Sequence, residues 1–466
     1  MAVKITASDR SVGFTIVELL VVIVIIGILA TITVVSYSGI TKKATEVTLQ
    51  ADLSNASKQL KMYQATNDAY PSAIDCSITP TINTVCLKPS SGNTFAYSAN
   101  NSVYPSTFKL YESSTSGIIY KITDSTSPLL SAEPGTLKAL ATPTIAAGTN
   151  PYSIVVSPDG NSVYSTNRGS NTVSMYARNA STGVLTALAT PTIATGTNPQ
   201  AIAISPDGKS VYVANYYSAT ISMYARNAST GVLTAMTTPT IATGGGPQTI
   251  VISPDGTSLY VNNHSSSSVS MYSRNVSNGI LTALAPSSID IGSYAYQNDI
   301  DMSPDGNVLY VITSNPGTVL MYARNASTGV LTASAEPIAG SYVFTKATIS
   351  PDGTSFYAIM SNIIRRYTRN ISTGVLTTFS TTITVDLDGY NNDIIVSSDG
   401  TSVYATSGSN TILMYARNAT TGVLTALSTS TVATDTNPHG IAISTDGNSV
   451  YVANYGSGTI SMYTRY

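Results

Sequence analysis

The chain has 466 residues, 42% of them hydrophobic and only 10% charged, with a formal net charge of −2. That length implies more than one domain, and the near-neutral balance lacks the basic stripe that nucleic-acid binding needs, so no nucleic-acid partner is expected. Ser, Thr, Asn, Gly and Tyr dominate and Trp is absent, a weakly charged composition of the kind carried by secreted and cell-surface proteins.

The first element is the run GFTIVELLVVIVIIGILATI, from Gly13 to Ile32. Between Arg10 and Lys42 the only charged residue is Glu18. The uncharged stretch that follows is long enough to span a bilayer as a helix, and Lys4 and Arg10 before it favour a cytoplasmic N-terminus. The leader is short and polar and lacks the apolar region of an ordinary signal peptide. A carboxylate inside a membrane helix costs about 2.5–3.5 kcal/mol, so Glu18 calls for a functional reason and a cation. Cleavage between Gly13 and Phe14 would supply one, the new α-amino group of Phe14.

This stretch resembles the N-terminus of type IV pilins and type II secretion pseudopilins, with their Gly–Phe cleavage site, a Glu at the fifth mature position and an apolar helix beyond. The resemblance implies processing by a prepilin peptidase, N-methylation of Phe14, and assembly with other pilin subunits, in which Glu18 neutralises the Phe14 amine of a neighbour. The precursor would sit in the cytoplasmic membrane and the product in an extracellular filament or at the cell surface. An ordinary signal anchor is the alternative.

Leu49, Leu53, Ala56, Leu60 and Tyr63 follow at helical spacing and line one face. The motif NDAYPS at 67–72 ends the helix at Pro71. Three β-prone runs come next, Thr94–Ser98, Thr107–Tyr111 and Gly117–Thr123. A helix on a small antiparallel sheet resembles the pilin head, an α+β unit. Cys76 and Cys86 are the two cysteines. A local disulfide is their simplest use in an oxidising compartment, with two free buried thiols as the alternative.

After residue 134 the chain is periodic. SPDG begins at Ser157, Ser205, Ser253, Ser303 and Ser350, and the variants SSDG and STDG begin at Ser397 and Ser444. Each unit holds four β-prone runs, such as AIAIS, SVYVAN and TISMYARN with a fourth of the GVLTALAT type. Four-stranded units of this length match propeller blades, and seven of them predict an all-β seven-bladed propeller. The seventh unit lacks its fourth run. The missing run stands before the first unit, where 135–151 agrees with 183–199 at 14 of 17 positions. Residues 135–142 are therefore expected to pair with 459–465 and close the ring. The repeat also resembles the YVTN and lactonase-like seven-bladed propellers, a superfamily that holds enzymes and binding modules alike. The organisation expected is a leader (1–13), a transmembrane and assembly helix (14–66), a head (67–125), a linker (126–134) and the propeller (135–466).

The pool of reactive side chains in the propeller is thin. Its candidate ligand-binding residues are Arg168, Tyr216, Tyr217, His264, Tyr294, Asp299, Tyr390, His439 and Tyr455, with the histidines and tyrosines placed on loops of one face. Asp301 adds charge there. DLDGYNND, with Asp386, Asp388 and Asp393, alternates acids as calcium loops do but departs from the EF-hand pattern, so it is a weak metal candidate, and no cofactor is expected. The SPDG aspartates read as turn caps on the opposite rim. The recurrent RN[AVI][ST] sequons, at Asn179 and its equivalents, read as hairpin turns or glycosylation acceptors. On these residues the expected role is a filament subunit that displays the propeller for adhesion to a glycan or protein. Non-enzymatic binding is favoured, a surface-tethered lactonase-like hydrolase is the alternative, and a non-binding spacer is a third reading. The hydrolase needs acids, His or Arg converging on the central funnel.

Overall fold

A computed structural model describes residues 44–466 except 46, 75, 77–84, 102–105, 115–118, 125–128, 131–134, 293–294, 316, 335–336, 340–342, 361–362 and 385–392. The expectations on Gly13, Phe14, Glu18 and the membrane span lie outside the described residues, among which no helix is long and apolar enough to cross a membrane. The chain divides into two compact units, Met1–Glu133 and Pro134–Tyr466.

In the first unit a helix runs through 47–67. Leu49, Leu53 and Leu60 are fully buried, with Ala56 beside them, because the 4-3-4 spacing brings them onto one face. They pack on Phe108, Leu110, Tyr120 and Ile122. The sheet is a meander of β1 (Thr94–Asn100), β2 (Thr107–Ser113), β3 (Ile119–Thr123) and β4 (Leu129–Leu130). The short β4 lies within the stretch expected as a linker, and its two leucines pair with Tyr120 and Lys121 on β3. Cys76 and Cys86 form a disulfide. Glu112 on β2 is fully buried. Its Oε1 accepts a 3.0 Å bond from Asn93 Nδ2, and Asp52 on the helix accepts 2.7 Å from the Ser90 amide. Burial, with Asp52 alongside, pushes the Glu112 carboxyl up to about 8.

The second unit is a ring of seven four-stranded antiparallel meanders, one of which gains a further two-residue strand. Blade 1 comprises Pro151–Val156, Ser162–Asn167, Thr172–Arg178 and Leu185–Ala194. The first strand of each blade neighbours the first strands of the blades on either side, so these seven strands surround the axis. The second strands are buried along their length, as in Ser210–Asn215, since both faces meet an adjacent blade. Core clusters therefore lie between blades: Tyr164, Val173 and Met175 of blade 1 pack on Ile202, Val211, Val213 and Leu233 of blade 2. The outer strand of blade 7 is β5 (Leu137–Ala146), from the other end of the repeat array. It pairs with Thr459–Arg465 from Thr459↔Ala146 to Arg465↔Leu137, which leaves no edge open between the two ends.

The SPDG turn does more than cap itself. In blade 1, Ser157 Oγ and the Asn161 amide both donate to Asp159 Oδ1, at 2.6 and 3.0 Å, and Gly160 takes the φ of +72° that the turn requires. The same aspartate also holds the Arg of the next blade's RN dipeptide: Arg226 Nη2 lies 2.8 Å from Asp159 Oδ2. Arg226 Nε donates to Tyr164 Oη at 2.9 Å, and Tyr164 donates to the Gly231 carbonyl. The pair recurs at every junction, from Arg178–Asp446 to Arg465–Asp399. The sequon asparagines cap their hairpins: Asn179 Oδ1 accepts from the Ser181 and Thr182 amides at 3.0 Å.

Candidate functional site

One end of the propeller axis opens into a cavity of about 890 Å3. Its wall is built from the first strands, and the register of the repeat decides what they present. Four residues before each SPDG-type serine, the seven blades carry Ser153, Ala201, Thr249, Asp299, Lys346, Asp393 and Gly440 in order. Blades 4, 5 and 6 thus set an acid, a base and an acid side by side. One residue earlier, blade 7 has His439 and blade 1 has Tyr152. Gly440 is required by the close approach of blades 7 and 1, since a Cβ there would lie 2.7 Å from the Tyr152 carbonyl oxygen.

Lys346 Nζ is 3.2 Å from Asp299 Oδ1. Asp299 also accepts from Thr249 Oγ1 at 3.0 Å and from the Ala347 amide at 3.1 Å. Asp393 accepts from the Ile441 amide at 3.2 Å, so it ties blade 6 to blade 7. Burial works against the Lys346 ammonium, but Asp299 and Asp393 hold its pKa above the ordinary value. Burial raises Asp393; Lys346 opposes this and Asp299 adds to it, leaving Asp393 above the usual carboxylate range. Asp301 is pushed up to about 7 by burial and by Asp299.

On the blade 7 and blade 1 side, His439 clusters with two tyrosines, its centroid 4.6 Å from Tyr152 and 5.0 Å from Tyr455, which are themselves 6.3 Å apart. Arg168 lies over one of these rings, its guanidinium carbon 4.6 Å from the Tyr152 centroid. Burial, with Arg168 and Lys346 nearby, lowers His439 to about 4, so the imidazole is neutral at pH 7. Among the described residues no cluster of three His, Cys, Asp or Glu is arranged to hold a metal ion.

The structure therefore brings Arg168, Asp299, Asp393, His439 and Tyr455 together. His439 is not on a loop as expected but is the second residue of the strand Pro438–Ile443. His264 begins a short 3-10 turn (His264–Ser266) and lines the cavity on the other side. Tyr216 lies beside it, with ring centroids 6.4 Å apart. Tyr217 is 71% exposed on the same loop. Tyr294, Tyr390, Asp386 and Asp388 lie outside the described residues. Lys346 and Tyr152 are the residues missed by sequence reasoning, although the SPDG register marks both. The reading that favoured non-enzymatic binding rested on how few charged side chains the propeller has. The pool of charge is small, but the inner strands concentrate it at one place.

The fold and site define a seven-bladed propeller with an ionisable cluster at the end of its axis. Residues 119–244, 237–347 and 343–466 match the family described as lactonase, 7-bladed β-propeller. The chain belongs to that family. A solved Bacteroides fragilis protein assigned as a 6-phosphogluconolactonase superposes with a TM-score of 0.55 at 20% identity, over 75% of this chain and 98% of that one, a likeness of fold. Near the other end, the chain is similar to the type IV wide pilus major component of Thermus thermophilus, at 33% identity over 96 residues, 19% of this chain and 73% of that protein. It is also similar to the type II secretion system core protein G of Escherichia coli, at 40% identity over 65 residues, 14% of this chain and 45% of that protein, less than half its length.

Proposed function

We propose that the propeller hydrolyses lactones and that a pilin-like stem carries it at the cell surface. The observation that carries the reading is the Asp299–Lys346–Asp393 row beside the neutral His439 and Arg168. Hydrolysis needs a cationic donor for the oxyanion that develops on the carbonyl oxygen and a base for the attacking water. Lys346 and Arg168 supply positive charge. Asp299 positions Lys346. Asp393 is the base, since a carboxylate with a raised pKa accepts a proton more readily near neutral pH. Water oxygen bonds to the acyl carbon and its proton passes to Asp393. The ring C–O bond then breaks, and the same proton goes to the departing ring oxygen, giving the hydroxy acid. His439, neutral and held against Tyr152 and Tyr455, is suited to hydrogen bonding with the substrate hydroxyls.

The test is release of acid from glucono-1,5-lactone and its 6-phosphate by the full chain, measured above the spontaneous rate. Asp393→Asn and Lys346→Met are each expected to lower kcat/KM by about 100-fold or more. Failure to hydrolyse either lactone refutes the reading.

The stem rests on the pilus and secretion-system relatives and on Glu18. Cleavage after Gly13, methylation of Phe14 and pairing of Glu18 with a neighbouring subunit's amine follow from it, with the prepilin peptidase and other pilin subunits as partners. Intact mass and N-terminal sequencing of the protein from sheared surface filaments test this. A chain that keeps Met1 and stays with the membrane refutes it.

A further inference from the structure

The rim of the cavity carries an aromatic feature that lactone hydrolysis does not use. The loop after each second strand is built alike in four blades. The amides of Arg168, Tyr216, His264 and Tyr455 make the same backbone bond, to the carbonyls of Asn150, Asn198, Gly246 and Asn437. The next residue in these loops is Gly169, Tyr217, Ser265 and Gly456. The position is crowded: a Cβ at Gly169 would come within 2.6 Å of Asn150 Oδ1, and one at Gly456 within 3.0 Å of a carbonyl oxygen. Blade 2 nevertheless seats a tyrosine there and leaves it 71% exposed. At that exposure it adds little to the core.

Tyr217 meets Tyr216 edge to face, at 5.3 Å and 81°. Tyr216 in turn is 6.4 Å from His264, which lines the cavity. The Tyr216 hydroxyl lies 3.4 Å from Ser265 Oγ, and Ser218 Oγ accepts from the Thr197 amide at 2.7 Å. The result is a run of three aromatic rings in successive contact, with hydroxyls beside it, from the exposed Tyr217 to His264 on the cavity wall. The negative face of an aromatic ring attracts the weakly positive C–H bonds on the flat face of a pyranose. Hydroxyls beside it exchange hydrogen bonds with the sugar's own. That chemistry suits a neutral oligosaccharide.

We infer that Tyr217, Tyr216 and His264 form a saccharide platform, and that the substrates are lactones at the oxidised end of an oligosaccharide, with the lactone ring in the cavity and the glycosyl extension on the tyrosines. The substrate class rests on the lactonase reading, while the platform does not. The full chain is assayed on glucono-1,5-lactone and on cellobiono-1,5-lactone, which adds one glucosyl unit. The kcat/KM ratio is expected to favour the longer lactone by about tenfold, and Tyr217→Ala to bring it close to one. A ratio near one in the parent protein, or a ratio that Tyr217→Ala does not change, overturns the inference. If neither lactone is hydrolysed, the lactonase reading fails and the substrate assignment with it. The platform is then read from cellopentaose binding by calorimetry: saturable binding that Tyr217→Ala weakens supports it, and no binding overturns it.

Discussion

Replacing Arg226 with methionine tests whether the junctions between blades depend on their ion pairs. The Arg226 side chain is fully buried, and its partner Asp159 is 32% exposed. Removing one member of a fully buried pair costs roughly 3–5 kcal/mol, because the other is left charged without a partner. Here Asp159 keeps its bonds from Ser157 and Asn161 and some contact with water, and Tyr164 keeps its bond to the Gly231 carbonyl. What lose their partner are the Gly208 carbonyl, which now accepts 3.1 Å from Arg226 Nη1, and the buried Ser162 Oγ, which accepts 3.0 Å from Nη2. The expected loss is therefore nearer ~2 kcal/mol, a fall of roughly 3 °C in the unfolding midpoint of a unit this size. Burial raises the Asp159 carboxyl, but hydrogen bonds from Ser157 and Asn161 and the Arg226 guanidinium hold it below the usual range. Its contribution is thus present at neutral pH and lost as the pH falls through the lowered value. Thermal unfolding of the parent, Arg226→Met, Asp159→Asn and the double variant at pH 7 and pH 3 gives the coupling. A midpoint within 1 °C of the parent for Arg226→Met, or a coupling that does not shrink at pH 3, refutes the argument.

Arg366 supplies a contrasting case. It occupies the slot that the other blades fill with Met175, Met223, Met271, Met321, Met414 and Met462, and it is buried there. Burial, with Arg417 nearby, lowers its pKa. Arg366→Met should stabilise the propeller by ~1 kcal/mol, read as a higher unfolding midpoint. Glu112 makes the first unit sensitive to base. Its folded pKa of about 8 lies above its unfolded value, so its contribution is complete in acid and is lost as the pH rises from the unfolded value through about 8. Glu112→Gln should flatten that decline in urea titrations between pH 5 and pH 9. Lys346 opposes the raised pKa of Asp393, so Lys346→Met should move the acid limb of any residual lactone hydrolysis to higher pH. A limb that stays in place removes Asp393 from the role of base.

The repeat is legible because each copy keeps its own turn chemistry, so SPDG and the hairpin asparagine mark every blade without reference to the rest. The helix face is legible for the same local reason, since Leu49, Leu53 and Leu60 share one stripe. The Arg–Asp junctions are not, because they join residues about a blade and a half apart, as Arg226 and Asp159 do. The cavity is intermediate. Asp299, Lys346 and Asp393 look unremarkable in their own segments. They become a row only when the blades are aligned on their serines and closed into a ring. Lys346 in FTKATIS reads alone as an ordinary surface lysine. Tyr152 reads as one of many tyrosines until Gly440 brings its strand against His439.

The closure of the ring also determines how the propeller would bear a pull. Any tension passed along the chain from the N-terminal unit reaches the propeller at Gly135, which donates its amide to the Tyr466 carbonyl at 2.6 Å just before β5 begins. There β5 is paired with Arg465, whose ion pair with Asp399 is the most solvent-exposed of the seven, at 9% and 47%. The load therefore enters at the junction that water weakens most, and the strand that takes it can peel while the other six blades keep all four of their own. Blade 7 is thus the blade whose strands come from both ends of the repeat array, so its outer edge depends on β5, while Asp299, Lys346 and Asp393 stand on blades whose strands are continuous in sequence.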